Sequence, residues 1–154
     1  MNSDLETYIE DHLAGAGAAV EVIGLLLEQS KEPVLTNLLG TLLIEVQEDK
    51  GTLERLAAGM GMGSSPIKDL AAWMGARMLS LKTRAGKSPF GAFEGLEFLC
   101  LGIQGKLHLW RALQQSPSCA SAADQPDFDV LIGRALEQHR KVDTLRLVVA
   151  TVAL

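Results

Sequence analysis

His12 and Asp49 are the two residues of this chain whose type and position could do chemistry together. Each interrupts the apolar stripe of a long helical segment. The two segments are joined by a short turn near Lys31–Pro33. His12 lies 17 residues before Gln29, the last residue ahead of that turn, and Asp49 lies 16 residues after Pro33. If the segments fold back on one another, both side chains arrive at one height and face the core. Buried polar groups need partners, since an unpaired one costs roughly 1–3 kcal/mol. The expectation is a His12–Asp49 pair, direct or through one water. Gln138, on the apolar stripe of the last segment, joins the same layer. Glu45 stands one turn from Asp49 at its stripe's edge, while Glu48 points to solvent. A layer of His12, Glu45, Asp49 and Gln138 has two readings. One is a metal or small-ligand site inside a bundle, with His12 and Asp49 as metal ligands. The other is a polar network that fixes helix register. Only one carboxylate is squarely inward, so the network is the preferred reading.

The elements that must position these residues are helical. A first segment opens at a Ser3 or Asp4 cap, with Glu6 completing a capping box, and runs to about Gln29. A second starts at Pro33 and ends near Ala58, before the stop Gly59-Met60-Gly61-Met62-Gly63. Ser65-Pro66 opens a shorter segment at about 67–82. Ser88-Pro89 then caps a fourth that reaches about Gln115. The last begins at Pro126 or Asp127 and continues to the C-terminus. A 16-residue helix between the second and fourth segments climbs roughly 24 Å, enough to return the chain along the bundle. The expected fold is a single all-α domain over residues 1–154, a four-helix bundle of up-down-down-up order with a shorter crossover helix.

Composition narrows the function classes. The chain has 154 residues, 47% hydrophobic but only 5% aromatic, which favours Leu- and Ala-rich helices over β-structure. Its net charge is −5 and its Lys and Arg are scattered, so no nucleic-acid partner is expected. The two cysteines, Cys100 and Cys119, form neither a disulfide framework nor a metal spacing, which fits a cytoplasmic location. The acidic start argues against a signal peptide, and no apolar run approaches the roughly 20 residues that span a bilayer. No membrane partner is expected.

Other candidate motifs give way on inspection. Gly86-Lys87-Ser88 is similar to a phosphate-binding loop, but Leu81 stands where the first glycine belongs and no strand precedes it. In the fourth segment Glu94, Glu97, Gln104, His108 and Arg111 share a stripe that reads as the solvent face. Phe93, Leu96, Cys100, Ile103, Leu107 and Trp110 form an apolar stripe about 100° away. Leu99, Phe98, Leu109 and Leu113 widen the apolar arc beyond half the circumference. Such an arc is covered on two sides, by the bundle and by either the short helix or a second subunit, so a homodimer through this face is expected.

The order of long helices, with inward polar residues in the first, second and last, resembles the ferritin-like superfamily. More closely, Asp11-His12-Leu13-Ala14-Gly15, Glu45 with Glu48-Asp49, and Glu97 followed by Gly102-Ile103-Gln104-Gly105-Lys106 and Leu109-Trp110 resemble small uncharacterised bacterial proteins. Ferritin-like di-metal enzymes carry one Glu on each of two helices and Glu-x-x-His on the other two. This chain departs from that pattern. Glu45-Val46-Gln47-Glu48 lacks the histidine, and Glu137-Gln138-His139-Arg140 has arginine in its place. The resemblance thus implies the fold and argues against a di-iron centre. The expected function is non-enzymatic, in structure, regulation or protein interaction, without a cofactor. The alternative is a ferritin-like metal-binding or oxidative-stress protein, holding iron or manganese on His12, Asp49 and Glu45.

Overall fold

The computed structural model describes residues 3–63, 75–76, 78–81 and 88–154. Among these residues the secondary structure is helical throughout. The helices are α1 (Ser3–Gln29), α2 (Pro33–Gly59), α3 (Pro89–Gln114), α4 (Pro117–Ala120) and α5 (Phe128–Ala153). Residues 75–76 and 78–81 are helical as well; the remainder of the expected helix over 67–82 lies outside the described residues. The turn-rich stretch after α3 holds the short helix α4, which buries Cys119.

Local chemistry sets the helix ends. Pro33 occupies the first turn of α2, where its missing N–H removes nothing. Ser88 Oγ accepts from the Gly91 amide at 3.3 Å, and Asp127 Oδ1 accepts from the Val130 amide at 3.1 Å. At the end of α2, Gly61 adopts φ +74°. That left-handed turn lets Met62 N–H reach Ala57 O at 3.1 Å and Gly61 N–H reach Ala58 O at 3.0 Å. The last carbonyls of the helix are thereby satisfied, and glycine is the residue that holds this conformation without strain.

The long helices pack in a ring: α1 on α2 and α3, α5 on α3 and α2, with the α3–α5 contact the most extensive. Residue pairs give their directions. Gly95 faces Leu26 and Gly105 faces His12, so α1 and α3 are antiparallel. Glu97 meets Arg146 and Gln114 meets Asp129, so α3 and α5 are antiparallel. Glu45 meets Gln138 and Asp49 meets Arg134, which sets α2 against α5 in the same sense. With α1 and α2 joined by a tight turn, α2 and α3 point the same way.

The apolar core is in two parts. One contains Ile23, Leu26, Leu39, Val46, Leu99, Ile103 and Val142. The other contains Ile9, Leu53, Leu56, Leu107, Trp110, Phe128 and Ala135. Between Val46 and Leu53, Ile103 and Leu107, and Ala135 and Val142 lies a polar layer. The wide apolar arc of α3 is consumed within the chain: Leu96, Leu99, Ile103, Leu107, Leu109, Trp110 and Leu113 are all buried. Leu101 and Phe90 of the same helix, with Ile44 on α2 and Leu136 on α5, remain exposed. No helix among the described residues is long and apolar enough to cross a membrane.

Candidate functional site

The polar layer is built around a lysine. Lys106 Nζ, from α3, donates to Asp49 Oδ2 on α2 and to Gln138 Oε1 on α5. Arg134, one turn before Gln138, donates from Nη1 to Asp49 Oδ1 and Glu48 Oε2, each at 3.0 Å. Gln138 Nε2 donates to Glu45 Oε2 at 2.8 Å. The Gln138 amide therefore has one orientation, because an ammonium can only donate and a carboxylate can only accept. Asp49 and Gln138 are 2% and 3% exposed, Glu45 is half-buried, and Glu48 is on the surface. Three carboxylates against two cations leave one net negative charge.

His12 stands across a cavity from this network. Its ring meets the Tyr8 ring edge-on, with centroids 4.7 Å apart, and it makes no hydrogen bond among the described residues. Burial pushes the His12 pKa below 6.5; Asp11 raises it and His108 lowers it further, so the imidazole is neutral at neutral pH. Both Asp49 oxygens accept from cations, and the direct His12–Asp49 pair is not formed. A buried carboxylate gains more from an ammonium and a guanidinium than from a neutral ring. Burial also lowers the Lys106 pKa, against the raising influence of Asp49 and Glu45.

Among the described residues no three of His, Cys, Asp and Glu converge on a point that could hold an ion. The centre of the layer is instead occupied by the Lys106 ammonium, an internal cation flanked by Asp49 and Gln138.

Lys106 and Arg134 are the two members that the sequence did not announce. Their signal was spacing. Ile103, Lys106 and Trp110 fall at steps of three and four on α3, as do Leu131, Arg134 and Gln138 on α5. Each cation therefore lies on an apolar stripe, its aliphatic stem in the core. On the opposite side of α3, Glu97, His108 and Arg111 are exposed.

The cavity between His12 and the network has a volume of about 170 Å³ and is lined by α1, α2 and α3. Glycines and alanines, namely Gly15, Ala16, Ala19, Gly102 and Gly105, form much of its wall. A Cβ built on Gly15 or Gly102 would meet nothing within 4 Å. Comparison with protein-family models, with curated proteins and with solved structures finds no match for this chain.

Proposed function

We propose that this chain is a non-enzymatic helical-bundle protein of ferritin-like, up-down-down-up connectivity, acting in structure, regulation or protein interaction rather than in metal chemistry. The antiparallel pairs α1–α2, α1–α3, α3–α5 and α2–α5 support that connectivity. The observation that carries the reading is the Lys106 ammonium at the centre of the polar layer, bonded to Asp49 and Gln138. In a metal-carrying bundle an ion would take that position and inward carboxylates and imidazoles would surround it. Here the layer is already closed by its own cations, and its work is to align α2, α3 and α5. The two free, buried cysteines support a reducing, cytoplasmic setting.

Metal analysis tests this reading. Protein purified and then incubated with iron(II) or manganese(II) is expected to retain no stoichiometric metal and to melt at an unchanged temperature. One equivalent per chain, with a raised melting temperature, would replace the reading with that of a ferritin-like metal protein.

A further inference from the structure

We infer that the cavity between α1, α2 and α3 is a binding site for a small, uncharged, mainly apolar molecule. The ligand has the size of one aromatic ring and carries an oxygen that accepts a hydrogen bond. Three independent observations converge on this class.

The first is size. Protein interiors are packed with few voids larger than a water molecule. This cleft measures about 170 Å³ and is partly open to solvent; an enclosed apolar cavity of roughly 150 Å³ is enough to hold benzene. Its walls are shaped for a body rather than for a chain of waters: Val46, Leu53, Ile103 and Leu109 face it alongside the small residues of α1. Exposed Gly102 on its wall gives it access from solvent.

The second is the set of unused donors. An ammonium has three N–H groups, and Lys106 places two, on Asp49 and Gln138. The third has no acceptor among the described residues, and Lys106 lines the cavity. Trp110 forms part of the same wall and is 1% exposed. His12 adds an imidazole with both ring nitrogens unbonded among the described residues. A ligand oxygen is the complement this wall lacks.

The third is charge. The network beside the cavity already has one more carboxylate than cation, and Asp11 adds another at the wall. Lys50, also on the wall, is neutralised by Glu54 at 2.7 Å. An anion would meet surplus negative charge, and a cation would compete with Lys106 for Asp49. An uncharged ligand avoids both costs.

Phenol, toluene and benzoate separate these requirements, because they share a ring and differ in the attached group. Each is titrated into the full-length protein and followed by amide chemical shifts in ¹H–¹⁵N spectra. Phenol is expected to give saturable, single-site shifts centred on Gly15, Gly102 and Gly105. Toluene should bind about tenfold more weakly, the worth of one hydrogen bond, and benzoate more weakly than phenol. Ala16→Leu fills the cavity and should abolish the phenol shifts. Gly15→Leu, at a position with open space around the built Cβ, is the second filling variant and decides the matter if the first does not fold. Non-saturating phenol shifts in the wild type would overturn the inference. So would phenol binding unchanged in a folded filling variant, or toluene or benzoate binding as tightly as phenol.

Discussion

At the scale of single residues, Asp49 is the member of the polar layer with most to lose. Its carboxylate is 2% exposed and holds Lys106 and Arg134 at once, while neighbouring Glu48 is 59% exposed and shares only Arg134. Removing one partner of a buried ion pair leaves an uncompensated charge, at a cost of about 3–5 kcal/mol, whereas a surface pair is worth about 0–1 kcal/mol. Urea unfolding of Asp49→Ala should therefore show a loss of about 3 kcal/mol or more, and Glu48→Ala a loss below about 1 kcal/mol. Equal losses would mean that the buried carboxylate is not the anchor. His12 makes a second, pH-dependent claim. Its folded pKa is depressed below 6.5 by burial, so the unfolded chain binds more protons than the fold between those two values. The fold should lose stability as pH falls from 6.5 through the depressed pKa. His12→Asn, which has nothing to titrate there, should lose less over the same range. Parallel pH profiles for the two proteins, measured by chemical unfolding, would contradict the neutral assignment.

At the scale of the helices, the ends were legible because capping chemistry is local. Pro33, Ser88-Pro89 and Asp127 each announced a helix start that the structure contains, and the glycine-rich stop fixed the end of α2 through Gly61. The partners of Asp49 were not legible. A lysine or arginine in a helical pattern ordinarily marks solvent, and α3 is apolar over so much of its circumference that the spacing of Lys106 did not single it out. Only the assembled ring of helices shows that α3 and α5 turn their cations toward α2, where electrostatic attraction outcompetes the neutral ring of His12. Packing between helices also separates two glycines that look alike in sequence. A Cβ on Gly95 would come within 3.0 Å of Leu26, itself 2% exposed, whereas one on Gly15 would meet nothing within 4 Å. In an open helical position Gly→Ala stabilises by about 0.5–1 kcal/mol. Gly15→Ala should realise that gain in thermal unfolding, and Gly95→Ala should forfeit it by forcing Leu26 to move. A gain at both positions would mean that the α1–α3 contact is looser than described.

At the scale of the whole molecule, the polar layer is a seam across an otherwise apolar interior. The two apolar clusters lie on either side of it, and the gap in the buried residues of α1 between Ile9 and Val22 is where the cavity lies. Leucine and valine contacts tolerate sliding of one helix past another; a lysine bonded to two neighbouring helices does not, and it pins α2, α3 and α5 in one register. The central claim is that Lys106 and Asp49 act as a unit in that seam. A double-mutant cycle of Asp49→Ala and Lys106→Met, read by urea unfolding, tests it most directly. In the double variant no ammonium is left without its carboxylate, and Arg134, 30% exposed, keeps Glu48. The double variant should therefore lose less stability than the sum of the two single losses, with a coupling of about 1–3 kcal/mol. Losses that add to within about 0.5 kcal/mol would contradict the claim and dissolve the layer into independent contacts.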